Sequence, residues 1–414
     1  MFKYIFNYCK CFLWILSIKY DTTDIYKYEC LLKSIKNCGC IPIKFIQWLL
    51  PCLYIIMDKK YYQYLNIFKE TYEDCEFHSI EYTRIRYQEN FNNQLENEYK
   101  EIEKIKSGSI GQVYKVKDMN DNIYALKIIH PFISIEIFIM NILLKFILFI
   151  INIKIIDIQK FFNLFEKQID FINESNNLLY FYHKYKNNHH VRIPKLYKIS
   201  KDIILMEYVE GTTIQEKDYK ICMLVGLFMI DKLYNSKLNH GDLHPGNLKM
   251  DITEQNIILY DFGFCWENKL DKEILDNLND STILYRYDNI DDLYQKKKDN
   301  FLEFLDLNNI NNKEYYIQNF KEYNSFEDYI RFLLQIYYQN NQKMDICLLN
   351  MILTVIHIKK YTDNHCTIID AYNFSKTYQI FPEYHKYIER DITKYKLFDK
   401  KENDFDNYDL KKFL

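Results

Sequence analysis

Glycine and proline are scarce in this chain, with 8 and 6 among 414 residues. So few breakers exclude a collagen-like or low-complexity polymer, and they make each glycine informative. Six of them (Gly108, Gly111, Gly211, Gly241, Gly246 and Gly263) fall in the short segments that carry the chemistry-bearing residues described below. A surplus of one charge is lacking as well. Lys+Arg is 54 and Asp+Glu 57, a net charge of −3, so the balance gives no case for a nucleic-acid partner. No secretory signal with a small-residue cleavage site precedes the 11 scattered cysteines. The expected setting is therefore a reducing intracellular compartment. Cys38-Gly39-Cys40 has no matching Cys/His pair at zinc spacing, and it is read as structural.

An uninterrupted apolar run of spanning length is also missing. The stretch from Ile135 to Ile158 is broken by Asn141, Lys145, Asn152 and Lys154, which favours a buried or amphipathic helix over a transmembrane one. Met1 to Tyr20 is aromatic and apolar but carries Lys3, Lys10 and Lys19. It is read as a helix packed on the domain, with peripheral membrane contact as the alternative.

What is present is the composition of a folded protein, 48% hydrophobic and 27% charged, long enough for two or three structural units. The first hundred residues read as helices, with Pro42 and Pro51 marking the edges of an apolar segment at 41–56. From Glu101 to Ile129 the period changes to strands around a glycine turn and an Asp118–Asn122 turn. Helical pattern returns from Ile135 to Tyr185. Two further strands follow at Lys195–Ile199 and Ile203–Tyr208, and from Asp218 the chain is mostly helical around a turn-rich block, His240–Gly263. The expected fold is α+β: a helical extension (1–100), a small β-rich lobe with a helical insertion (101–207), a large helical lobe (208–375) and a tail (376–414). Two such lobes leave a cleft between them.

The chemistry-bearing residues follow this order. Ser107-Gly108-Ser109-Ile110-Gly111-Gln112-Val113 sits between two strands, where small residues let backbone N–H groups approach phosphates. The next strand holds Lys127 among apolar residues, which is costly to bury unpaired. In kinase-type sites such a lysine grips the α/β-phosphates and a helical glutamate holds it; here the candidate is Glu174. In His240-Gly241-Asp242-Leu243-His244-Pro245-Gly246-Asn247, Asp242 fits the position beside an acceptor hydroxyl. Asn247, with Asp261 of Asp261-Phe262-Gly263, fits the oxygen ligands of a magnesium ion. The strand entering Glu207-Tyr208-Val209 is placed where a hinge offers backbone groups to adenine. Gly241 replaces the arginine that precedes the catalytic aspartate in ordinary protein kinases. The segment 261–280 has no Ser or Thr, so activation-loop phosphorylation is not expected.

On these motifs the sequence resembles the UbiB/ADCK family of atypical protein-kinase-like proteins. The resemblance is carried by Ser-Ile-Gly-Gln-Val at 109–113, Ala-Leu-Lys-Ile-Ile-His-Pro at 125–131 and Asp-Phe-Ile-Asn-Glu at 170–174. Ile-Pro-Lys-Leu-Tyr at 193–197, Met-Glu-Tyr-Val-Glu-Gly at 206–211 and His-Pro-Gly-Asn at 244–247 extend it. Lys44-Phe45-Ile46-Gln47 is a degenerate echo of the family's amino-terminal Lys-x-Gly-Gln motif, and Gln168 stands where its Glu-x-Asp motif has a glutamate, Asp170 being retained. The resemblance implies a two-lobed protein-kinase-like fold, ATP and Mg2+ as cofactors, and an extension packed over the site. It also implies a link to quinone or other prenyl-lipid metabolism. Lys44, Gln47 and Asp170 are the regulatory residues it implies, with Lys44 and Asp170 expected to couple. The acceptor is a small molecule, a lipid or a protein. Two other readings stand beside an active kinase or ATPase. One is a small-molecule phosphotransferase of the aminoglycoside/choline-kinase type; the other is a nucleotide-binding scaffold without turnover.

Overall fold

The computed structural model describes residues 2–57, 59–72, 75, 77–151, 158–215, 225, 237–251, 256–267, 290–307, 309–320, 326–362 and 376. The helix expected from Asp218, the segment 268–280 and residues 377–414 of the expected tail lie outside these. The chain divides into two compact units. The first comprises Met1–Ile153, Ile158–Gly211 and Ile258–Cys265; the second comprises Lys154–Asp157, Thr212–Ile257 and Trp266–Leu414.

The first unit opens with helices α1 (Phe2–Tyr20), α2 (Ile25–Lys36) and α3 (Cys40–Ile56), then the short α4 (Tyr62–Leu65), α5 (Ile80–Phe91) and α6 (Leu95–Glu98). Asp24 starts α2 by accepting the Tyr26 N–H, and Leu31, Leu32 and Ile35 recur at helical spacing on its buried face. They join Tyr8, Cys11, Ile43, Leu50 and Phe68 in one apolar cluster. Helix α3 runs through both prolines, so Pro51 does not bound it as expected. Pro42 lies in the first turn, where its N–H would have no intrahelical partner. Around Pro51, the buried Ile43 and Leu50 before it and the partly buried Leu53 after it pack in the same cluster and keep the two halves in place. Gly39 precedes α3 with φ 113°, and a Cβ there would overlap the Glu136 carboxyl group.

Strands β1 (Tyr99–Ser107), β2 (Gly111–Asp118) and β3 (Ile123–Ile129) follow as an antiparallel meander. Asp118 closes the β2–β3 turn, its Oδ1 accepting the Asn120 and Asn122 N–H groups at 2.8 Å each. After helices α7 (Ile133–Ile151), α8 (Ile158–Gln168) and α9 (Phe171–Tyr185) come β4 (Val191–Arg192), β5 (Leu196–Ile199) and β6 (Ile203–Glu207). The five-stranded sheet has the order β1-β2-β3-β6-β5. Tyr87, Tyr114, Val116, Leu126, Ile128 and Ile203, none of them exposed, form the core on one face. Among the described residues no helix is long and apolar enough to cross a membrane.

The second unit contains the short strands β7 (Leu238–His240) and β8 (Leu248–Met250); β9 (Ile257–Leu259) and β10 (Cys265–Glu267) straddle the unit boundaries. Among the described residues, helices α10 (Ile290–Leu307), α11 (Lys313–Gln318), α12 (Phe326–Gln339) and α13 (Ile346–Thr362) follow. Phe301, Phe304, Ile330, Leu333 and Ile352 are fully buried among them, with Phe301 stacked on Phe320 at 4.8 Å.

Candidate active site

Lys127 lies mid-strand in β3, paired in register with Val113 of β2 and Ile204 of β6. Its Nζ donates to both carboxylate oxygens of Glu174, at 2.7 and 2.9 Å, and to Asp261 Oδ1 at 3.1 Å. Glu174 comes from the first turn of α9, whose start is fixed by Asp170 accepting the Ile172 N–H. The buried face of that helix (Phe171, Glu174, Leu178, Phe181, Tyr185) has 3–4 spacing. The Lys127 ammonium also stands 5.3 Å from the Phe171 ring centroid. Burial works against its charge, but the Asp261 and Glu174 carboxylates outweigh that and hold it above the ordinary lysine value. Burial, joined by the neighbouring Asp261 charge, raises Glu174 to about 7 against the opposing pull of Lys127 and Lys44.

Asp261 is a non-glycine residue with φ 54°. Its neighbour Phe262 is buried against Phe181, ring centroids 5.2 Å apart, and its carbonyl accepts from Asn177 Nδ2 at 2.9 Å. Gly263 donates its N–H to Asp261 Oδ1 at 3.3 Å. A side chain at 263 would crowd Asp261, Gln168 and Glu174.

The glycine turn between β1 and β2 is closed by Gly108 N–H to Gly111 O at 3.0 Å. A Cβ at Gly111 would sit 2.6 Å from Ile128 O, so β3 requires a glycine there. Ser107 and Gln112 are wholly buried, and Ser109 and Ile110 nearly so. Gln112 is buried, and its Oε1 accepts the His78 N–H at 3.0 Å. Val113, half-buried, faces Lys127 across the strand pair.

At the end of β6 the Glu207 N–H is bonded to Lys195 O at 2.7 Å and its carboxylate to Arg192 at 3.0 Å. The Val209 carbonyl accepts from Tyr260 OH at 2.9 Å. These groups of the expected hinge are therefore already engaged.

The second unit brings Asp242 and Asn247 together. Asn247 Nδ2 donates to the Asp242 carbonyl at 3.0 Å, and the amide oxygen is the side chain's acceptor. The Asp242 N–H is held by His240 Nδ1 at 3.2 Å, and the His244 ring comes within 3.9 Å of the Asp242 carboxylate. The turn is tightened by Asn247 N–H to His244 O at 2.8 Å. An asparagine amide oxygen and a carboxylate are hard oxygen donors that suit Mg2+, which binds through few protein ligands plus substrate phosphates. Among the described residues no three His, Cys, Asp or Glu side chains cluster as a metal cage.

In the extension, Lys44 is buried and acts on Glu174. The expected coupling partner Asp170 is instead exposed, its carboxylate turned to the α9 backbone as a cap. Gln47 donates to Thr71 O at 2.6 Å and so ties α3 to the residues after it. Sequence reasoning missed Glu136, His78 and His130. Glu136 accepts the Ile41 N–H at 3.0 Å; a lone acid in the apolar run of α7 was its signal. His130 bonds the Gly108 carbonyl at 2.8 Å and His78 at 3.0 Å.

The description "ABC1 atypical kinase-like domain" matches residues 72–291. A Drosophila melanogaster protein named AarF domain-containing kinase 1 is 26% identical over 195 residues, covering 42% of this chain and 37% of that protein. A Dictyostelium discoideum protein named probable serine/threonine-protein kinase abkC is 27% identical over 245 residues, covering 53% and 34%. The chain thus spans about a third of the length of these curated relatives. The solved structure titled as the complex of Rv3197 with erythromycin, from Mycobacterium tuberculosis, superposes with a TM-score of 0.44 at 15% identity. That superposition covers 70% of this chain and 83% of the other.

Proposed function

Since the chain belongs to the ABC1 atypical kinase-like family, the UbiB/ADCK group, and has its α+β kinase-like fold, we propose that it binds ATP with Mg2+ and moves the γ-phosphoryl group to an acceptor or to water. The buried contact of Lys127 with Glu174 and Asp261 carries this reading. A lysine ammonium enclosed by two carboxylates is held charged and immobile, as a group that grips phosphates must be. Glu174 orients it. Asp242 receives the proton of the attacking hydroxyl. Asp261 in the first unit and the Asn247 amide oxygen in the second are each oxygen donors of the kind that hold Mg2+, which when bound would neutralise charge on the phosphates. With the Glu207 N–H and the Val209 carbonyl engaged, adenine would be met by the Glu207 carbonyl and the Val209 N–H. The kinase names of the relatives agree with phosphoryl transfer.

The test is thermal stabilisation of the full chain by ATP with and without Mg2+, followed by ATP turnover assays. Prenyl-quinone-like lipids, small alcohols and protein acceptors would be supplied in turn. Magnesium-dependent stabilisation with turnover is expected, and the acceptor that raises turnover identifies the substrate class. Stabilisation without turnover under any condition would leave a scaffold; neither would end the proposal.

A further inference from the structure

Behind the glycine turn lies a chain of buried polar groups that the phosphoryl-transfer reading does not use. His130 follows β3, is 4% exposed, and has Nε2 2.8 Å from the Gly108 carbonyl, with Ser107 Oγ at 3.4 Å. Its Nδ1 is 3.0 Å from His78 Nδ1. His78 Nε2 is 3.0 Å from Thr83 Oγ1, which is 2.8 Å from Tyr114 OH.

Chemistry fixes the direction of this chain. A carbonyl only accepts, so His130 Nε2 carries the hydrogen. In a neutral ring Nδ1 is then bare and accepts from His78 Nδ1–H. His78 Nε2 accepts in turn from the Thr83 hydroxyl, and Thr83 accepts from Tyr114. The surroundings keep both rings neutral. Burial, the facing His130 and Lys104 of β1 lower His78 to about 4. Burial and Lys127 lower His130, against the bond to Gly108. The uncharged Tyr82 and Tyr114 rings and the Gln112 amide also stand against His78.

The pinned carbonyl has a consequence on its other side. Peptide C=O and N–H point in opposite directions across a trans bond, and no cis bond occurs among the described residues. With Gly108 O drawn toward His130, the Ser109 N–H faces away from it. Among the described residues neither the Ser109 nor the Ile110 N–H has a hydrogen-bond partner, although both residues are more than nine-tenths buried. Buried backbone donors are almost always paired, and consecutive open N–H groups in a turn form an anion-binding concavity. We infer that His130, backed by His78, Thr83 and Tyr114, is a positioning residue that turns the Gly108–Ser109 peptide so that Ser109 N–H meets a phosphate oxygen. The inference rests on the nucleotide reading above and names the group that shapes its phosphate loop.

The experiment compares ATP–Mg2+ and adenosine binding to the full-length wild type, His130→Leu and His130→Gln. The glutamine amide can donate to the Gly108 carbonyl as the ring does. His130→Leu should weaken ATP about tenfold or more while leaving adenosine within about twofold, and His130→Gln should restore ATP to within about threefold. A parallel loss of ATP and adenosine, or no loss of either, overturns the inference. Histidine ¹⁵N spectra of the wild type give a second arm should the leucine variant misfold. Nε2–H on His130 with Nδ1–H on His78 is expected at pH 7, and the opposite tautomers overturn the relay. If the wild type binds neither ATP nor adenosine, the nucleotide reading falls and the phosphate role with it, whereas the tautomers still judge the relay.

Discussion

Glu136 reaches back 95 residues to accept the Ile41 N–H at 3.0 Å, and so serves as the N-terminal cap of a helix to which it does not belong. Its carboxylate also accepts from Cys40, and the missing side chain at Gly39 makes the room. This join fixes the first turn of α3, the helix that carries Lys44.

Stability should record that carboxyl group. Burial raises Glu136 to about 7 from an ordinary 4.5, against the two backbone bonds. The folded chain therefore binds more protons than the unfolded chain between these values. This contribution is fully present below about 4.5 and is lost as pH rises through about 7, on the order of 3 kcal/mol. Glu136→Gln should remove that slope, so wild type and variant should diverge between pH 4.5 and 7 in melting experiments. Parallel curves would contradict the burial argument.

Breaking the central ion pair should be expensive. Lys127→Met leaves Glu174 and Asp261 together without their cation, and a loss of about 3–5 kcal/mol is expected in denaturant titrations. Adding Glu174→Leu removes the orphaned buried charge and should recover part of that loss. A double variant no more stable than Lys127→Met would argue against the pairing as described.

Lys44 acts electrostatically on Glu174, whereas Asp170 faces solvent as a cap. A double-mutant cycle of Lys44→Met with Glu174→Gln should show coupling of about 0.5–3 kcal/mol, and one with Asp170→Asn should be additive within about 0.5. Coupling to Asp170 alone would reverse this assignment.

The two loop glycines should differ in tolerance. Gly111→Ala would force the β2 and β3 backbones apart and cost about 1–3 kcal/mol, because its Cβ would lie 2.6 Å from Ile128 O. Gly108→Ala meets only Gly111 O at an ordinary 3.5 Å, and its melting temperature should stay close to the wild type.

Acid and metal roles can be separated by substitution. Asp261→Asn should abolish magnesium-dependent stabilisation by ATP, since a neutral amide is a poorer ligand for a hard cation. Asp242→Asn should keep that stabilisation and lose turnover at least about a hundredfold. Equal effects in both assays would remove the distinction.

Local signals made much of this readable in advance. The β1–β3 meander shows in its alternation and in the Asp118–Asn122 turn, both properties of neighbouring residues. Lys127, Glu174 and Asp261 were nameable because each sits in a short motif, although the contact joining them spans 134 residues. Pro51 misled because tertiary burial of Ile43 and Leu50 overrides a local breaker. Asp170 misled because a carboxylate at the start of a helix is claimed by that helix's own N–H groups. His78 and His130 share no period and lie 52 positions apart. Only the folded chain brings them together.

The packing of Phe262 on α9 makes that helix a lever. Its Phe181 and Asn177 hold the Phe262 ring and carbonyl, and its Glu174 holds Lys127. Displacing the Phe262 ring thus strains the same rigid rod that positions the glutamate. Assembly of the charged cluster and seating of the aromatic ring become a single degree of freedom, and a small molecule that wedges under Phe262 would disarm Lys127 without touching it.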